Sequence, residues 1–139
     1  MNDVDELIEL IFTMNRLTKE GMEHEKGAPS YIQLQTLAFI LRKKNPTMKN
    51  VAKYLNITPP SATFLVNNLI KLDLANRVHD DNDKRITRLV ISAKGKKKLQ
   101  AGFIKSKKYL HKKLSLLSTK ERQNFISILK KISLLVNNK

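Results

Sequence analysis

Residues 47–91 read TMKNVAKYLNITPPSATFLVNNLIKLDLANRVHDDNDKRITRLVI, and their pattern decides how the rest of the chain is read. Thr47 suits the N-cap of a short helix whose apolar residues are Val51, Ala52 and Leu55. Asn56-Ile57 forms a tight link. Thr58-Pro59 then reads as an N-cap followed by an N1 proline, a strong helix start. From Pro59 to about Leu72 the spacing buries Ala62, Leu65, Val66, Leu69 and Leu72. It leaves Pro60, Ser61, Thr63, Phe64, Asn67, Asn68 and Lys71 outside. Two short helices joined by a tight turn, the second better capped and polar outside, form a helix–turn–helix. Next, Ala75-Asn76-Arg77-Val78-His79 and Ile86-Thr87-Arg88-Leu89-Val90-Ile91 flank the polar run Asp80-Asp81-Asn82-Asp83-Lys84-Arg85. β-Branched residues around turn formers predict a hairpin. Its loop is longer than a two-residue turn needs and basic at its far end, as in a wing that probes DNA.

Outward from this stretch the periodicity is helical. Val4, Leu7, Ile8, Ile11, Met14, Leu17 and Gly21 make one face of an amphipathic helix over residues 4–22, which Gly27-Ala28-Pro29 breaks. Ser30 with Gln33 is a capping-box pattern, and Leu34, Leu37, Ala38 and Leu41 form the next buried stripe, ended by Asn45-Pro46. Beyond the hairpin, a long helix from Ala93 to about Leu117 carries Leu99, Phe103, Leu110, Leu114 and Leu117 on one side. Lys94, Lys97, Lys98, Lys105, Lys108 and Lys112 fan out opposite. Ser118 with Glu121 opens a last helix bearing Phe125, Ile128, Leu129, Ile132, Leu135 and Val136. The expected fold is mainly α with a small β-hairpin wing (α+β). One domain spans residues 1–139, with the winged helix–turn–helix over about 30–92 and further helices over about 1–22 and 93–139.

The chain has no cysteine, which removes disulfides, thiolate zinc sites and cysteine redox sensing. MNDVDELIELIF is acidic and amphipathic, unlike a signal peptide, and no run approaches 18 apolar residues. A cytoplasmic protein without membrane contact is expected. The net charge of +15 is unevenly placed: residues 1–46 carry −1, residues 47–92 carry +3, and residues 93–139 carry +13. Such a field attracts polyanions. However, 21 of the 27 basic residues are Lys, as codon bias in an A·T-rich genome also gives. Charge alone decides little.

Val51-Ala52-Lys53-Tyr54-Leu55-Asn56-Ile57, Ser61-Ala62-Thr63 through Leu65-Val66 and Leu69, Asp83-Lys84-Arg85, and Leu89-Val90-Ile91-Ser92 to Gly95 together resemble the MarR (multiple-antibiotic-resistance) regulator family. Leu117-Ser118-Thr119-Lys120-Glu121-Arg122 resembles the usual start of its last helix. The resemblance implies a homodimer whose first and last helices interlock, and which binds double-stranded DNA at a pseudo-palindromic operator. It implies that Ser61, Thr63, Phe64, Asn67, Asn68 and Lys71 face the major groove, and that Asp83, Lys84, Arg85 and Arg88 form the wing contacts. Arg85 is then the minor-groove probe, with Asp83 fixing its direction; Arg suits a narrow, electronegative A·T-rich groove. Relatives bind small aromatic anions in a cleft between the dimer helices and the winged domain. Met14, Tyr31 and Phe39 are candidate lining for such an effector, with ordinary core as the other reading. The sequence departs from the family at Asp73 (often Gly), Phe64 (often Arg) and Asn67-Asn68 (often an acidic–basic pair). Phe64 is expected either half-buried or against thymine methyls, and Asn67 or Asn68 against adenine.

Other chemistry is poorly served. Asp80, Asp81 and Asp83 hint at calcium, but Arg85 stands where a ligand is required. His24, Glu25 and His111 are the one conceivable metal set. No Gly-rich phosphate loop or nucleophile motif occurs, so neither enzyme activity nor a cofactor is expected. Two rival functions remain: a non-specific architectural nucleic-acid binder using the basic C-terminal helices, and a protein-interaction adaptor, hinted at by Phe64.

Overall fold

The computed structural model describes residues 2–22 and 26–137. In chain order they form α1 (Asp3–Met22), α2 (Tyr31–Arg42), α3 (Met48–Leu55), α4 (Pro59–Lys71), β1 (Ala75–His79), β2 (Thr87–Ile91), α5 (Ala93–Leu114) and α6 (Thr119–Asn137). The chain divides into two compact units, Met1–Ser106 and Lys107–Lys139.

Local chemistry sets the helix ends. Ser30 and Gln33 cap α2 reciprocally: Gln33 Oε1 accepts from the Ser30 N–H at 2.9 Å, and Ser30 Oγ from the Gln33 N–H at 3.3 Å. Thr47 and Asn50 do the same for α3, an exchange the sequence reading saw only from the Thr47 side. Asn56 closes α3 in the left-handed region (φ 53°), its N–H reaching back to the carbonyls of Ala52 and Lys53. Thr58 caps α4, which begins on Pro59. Asp73 turns the chain out of α4 at φ 61°, a left-handed conformation that Asp tolerates better than most residues.

β1 and β2 pair antiparallel with Ala75 opposite Ile91, Arg77 opposite Leu89 and His79 opposite Thr87. Thr47 adds an isolated bridge to Arg88, and the Leu89 N–H donates to the Pro46 carbonyl at 2.8 Å. The turn between α2 and α3 is thereby stitched to the sheet. Leu37 and Ile40 of α2, Val51 of α3, Val66 and Leu69 of α4, and Leu89 of β2 are almost wholly buried in one core. Each such side chain contributes about 1.5–3 kcal/mol relative to exposure.

Two expectations are corrected. Leu41 is 45% exposed, and the buried positions of α2 are Leu34, Thr36, Leu37, Phe39 and Ile40. A single stripe fails because α2 is covered on more than one side. Leu34 lies so close to Gly102 of α5 that a Cβ there would meet Leu34 Cδ1 at 2.8 Å. Leu72 is 47% exposed because α4 ends at Lys71, and the following turn buries Leu74 in its place.

α5 is anchored to the core by Ser92. Its hydroxyl donates to the Asp73 carbonyl and accepts from the Gly95 N–H at 2.9 Å, while its own N–H donates to the Leu74 carbonyl at 3.0 Å. A Cβ on Gly95 would meet that carbonyl oxygen at 2.0 Å, so only glycine fits. α5 ends at Leu114, three residues short of expectation. The chain then leaves it through short-range backbone bonds such as Leu117 N–H to the Leu114 carbonyl. Ser118 and Glu121 cap α6 reciprocally.

α1 and α6 differ from everything between them. Neither buries a side chain among the residues whose burial is described: Phe12 of α1 is 66% exposed and Leu135 of α6 67%. No helix among the described residues is long and apolar enough to cross a membrane.

Candidate nucleic-acid interface

With Ala62, Val66 and Leu69 turned inward, helical spacing leaves Ser61, Thr63, Phe64, Asn67 and Lys71 exposed on α4 and Asn68 half-buried. The hydroxyls are partly used by the helix itself. Thr63 Oγ1 donates to the Pro59 carbonyl at 3.0 Å, and Ser61 Oγ accepts from the Thr58 hydroxyl at 2.9 Å. Phe64 is 71% exposed, which excludes the half-buried reading.

Asn67 Oδ1 accepts from Arg77 Nη2 on β1. Arg77 was absent from the sequence-derived set. Its signal was strand alternation: it shares a face with Ala75, which is fully buried, and so lies on the side of the hairpin turned toward the helices. The bond fixes the Asn67 amide and directs its NH2 donors away from Arg77.

The wing loop is built on two aspartates. Asp80 Oδ2 accepts from the backbone N–H groups of Asn82 and Asp83, both at 3.0 Å, while Oδ1 pairs with Arg88 Nε. Backbone bonds from Asp80 to Ile86 and from Ile86 to Asp83 close the loop. Asp83 holds Arg85 at three points: Oδ1 accepts from its backbone N–H and from Nε, each at 3.0 Å, and Oδ2 from Nη2 at 3.1 Å. A planar guanidinium gripped on one edge keeps its direction. The Arg85 side chain remains 90% exposed, so the other edge is free to bind. Lys84 beside it is exposed.

The hydrogen bond from Arg88, then those from the Asp83 and Asn82 backbone, hold the Asp80 carboxyl below the ordinary aspartate range. Bonds from the Arg85 side chain, then its backbone, do the same for Asp83, and Asp83 in turn raises the Arg85 guanidinium. Both aspartates are thus committed to guanidinium groups rather than to a metal ion. Arg88 stands at the base of the wing, bound to Asp80 and donating to the Asn45 carbonyl at 3.1 Å.

The three effector candidates do not share a recess. Tyr31 borders a small apolar recess with Leu34, Ala38, Leu99 and Phe103, whereas Phe39 backs a separate, basic one beneath Tyr54. Met14 lies on the exposed face of α1 and lines neither. His24 and Glu25 lie outside the described residues. Among the described residues no group of three potential metal ligands converges.

A family model, that of the MarR family, matches residues 29–86. Solved structures extend the likeness over the whole chain. A mutant of MarR from E. coli superposes with a TM-score of 0.82 at 19% identity, covering 95% of this chain and 97% of that one. MepR, a transcription regulator of the Staphylococcus aureus multidrug efflux pump MepA, gives 0.79 at 20% identity, over 98% and 99% of the two chains. A MepR mutant bound to an oligodeoxyribonucleotide gives 0.67 at 22% identity, again over 98% and 99%. No curated protein sequence matches the chain significantly.

Proposed function

We propose that this chain is a MarR-family protein, a reading supported by the match of residues 29–86 to that family's model, and that it is a homodimeric, sequence-specific regulator of transcription. It binds double-stranded DNA in the cytoplasm, represses nearby genes, and is released by a small aromatic or anionic effector. It performs no catalysis. The carrying observation is the wing: Arg85 is gripped by Asp83 along one edge and exposed along the other, in a loop itself held by Asp80 and Arg88. That geometry directs a cation into a groove without spending binding energy on ordering it. The outer face of α4, braced by Arg77, is the major-groove reader. Dimerisation is supported by α1 and α6, whose apolar faces are exposed in a single chain. Pairing two copies sets half-sites about one helical turn apart.

The architectural rival is separated by competition. A regulator keeps its operator, selected from genomic fragments, against a large excess of random DNA; a non-specific binder loses it. Arg85→Ala is expected to weaken operator binding by roughly 1–3 kcal/mol, most on A·T-rich flanks. Unchanged affinity would remove the wing from the interface. Failure to retard any fragment at low salt would favour the adaptor.

A further inference from the structure

Among the described residues, Asn67 is the one outward side chain of α4 tied to another element: Arg77 Nη2 of β1 donates to its Oδ1. That bond has a definite sense. A guanidinium carries donors only, so the amide arm facing Arg77 is the carbonyl and the arm turned away is the NH2. Both side chains are exposed. Arg77 forms no ion pair among the described residues, so its charge stands unneutralised beside the amide. Asn67 shares the outer arc of the helix with Phe64 and Lys71, at three- and four-residue spacing, and α4 contains no carboxylate. Oδ1 keeps a second lone pair, but a donor approaching it meets the N–H groups of Arg77 as well. This part of the α4 face therefore offers donors and repels them.

We propose that Asn67 reads guanine rather than adenine in the major groove, and that Arg77 is the positioning residue that sets this choice. The assignment deepens the DNA-binding reading above and rests on it. An unrestrained Asn reads adenine with both arms, its oxygen accepting from N6–H and its nitrogen donating to N7. Here the oxygen is committed to Arg77, and the adenine amino group would be brought against guanidinium donors. Guanine presents N7 and O6, both acceptors, to the free NH2 of Asn67. Cytosine presents an amino donor, and thymine a single acceptor beside its methyl, so guanine is the base that matches a donor-only reader. For Asn67 this departs from the adenine contact expected from the sequence. Helical spacing shows that an amide faces outward; only its partner ten residues on shows which arm is free.

The test reads base preference, which a merely structural role of Arg77 would not move. The full chain selects duplexes from a random pool, and the wild type is expected to demand a G·C pair at one position of each half-site. Adenine there should weaken binding about tenfold. Arg77→Met frees the amide to turn, and the preference for guanine over adenine should fall to about twofold or reverse, with preferences elsewhere unchanged. Arg77→Lys still donates to Oδ1 and should keep the preference, at lower total affinity. Asn67→Asp retains Arg77 but offers no donor; it should lose the preference and so decides the same point independently. Circular dichroism checks that each variant is folded. At the assigned position inosine, which keeps N7 and O6, should bind like guanine. 7-Deazaguanine, which lacks N7, should weaken the wild type several-fold and Asn67→Asp hardly at all. Adenine preferred by the wild type at the Asn67-dependent position, an unaltered preference in Arg77→Met or Asn67→Asp, or equal loss in Arg77→Lys and Arg77→Met would overturn the assignment. An enriched site with no Asn67-dependent guanine overturns the assignment alone, whereas a wild type that enriches no sequence overturns the regulatory reading together with it.

Discussion

The winged middle of the chain and its two terminal helices solve the hydrophobic problem differently. Between α2 and the start of α5, Leu37, Ile40, Val51, Val66, Leu69 and Leu89 meet inside one chain and are almost wholly buried. In α1 and α6 the apolar residues are as numerous, yet every one that is described remains at least partly exposed. A helix patterned this way gains nothing from its apolar face until another surface covers it. The winged unit buries its apolar residues within one chain; in the proposed dimer the terminal helices would bury theirs against a second copy.

The largest effect should come from placing a charge on a terminal face. Ile132→Glu, at a position 47% exposed in the single chain, is expected to leave the winged unit folded. It should weaken self-association by about two orders of magnitude or more, because the carboxylate would be buried unpaired in the interface. Sedimentation read against circular dichroism checks this, and a wild-type chain already monomeric at micromolar concentration would break the comparison.

Within the winged unit, Gly95→Ala is expected to cost about 1–3 kcal/mol, because its Cβ meets the Leu74 backbone, which has no room to yield. Gly102→Ala should cost less, since it meets only the movable end of the Leu34 side chain. Denaturant titration of the two variants orders them, and equal midpoints would show that the α5 junction is looser than described.

Phe64 is the one strongly exposed apolar side chain of the winged region, and there DNA is the expected cover. Replacing operator thymines by deoxyuridine, which lacks the C5 methyl, should weaken wild-type binding by roughly 1 kcal/mol and Phe64→Ala hardly at all. Equal losses in both proteins would mean that Phe64 does not read those methyls. The smallest effect concerns pH. The carboxyls of Asp80 and Asp83 are depressed in the folded loop, so the stability they lend is fully present above the ordinary aspartate range. It is lost only as pH falls through their lower folded values. Carboxyl carbon NMR should show both titrating below the ordinary aspartate range, and ordinary titration would mean that the arginine clamps are open in solution.

Much of this was legible because it is written in short-range chemistry. The caps at Ser30, Thr47, Thr58 and Ser118, the left-handed Asp73 and the Asp83–Arg85 grip each involve residues at most a few positions apart. What escaped was long-range. Arg77 meets Asn67 across ten positions, Arg88 meets Asn45 across forty-three, and Leu34 of α2 packs close against Gly102 of α5.

The residues alone therefore determined where helices begin, which of their faces are apolar, and that a hairpin finger follows a helix–turn–helix. Side-chain periodicity and capping are properties of a few neighbouring residues and need no fold to be read. Only the tertiary structure decided that Phe64 is bare, that Arg88 braces the wing from a basic recess, and that Tyr31 and Phe39 line different hollows. Those outcomes depend on which distant segments come to lie side by side, and no local spacing encodes that.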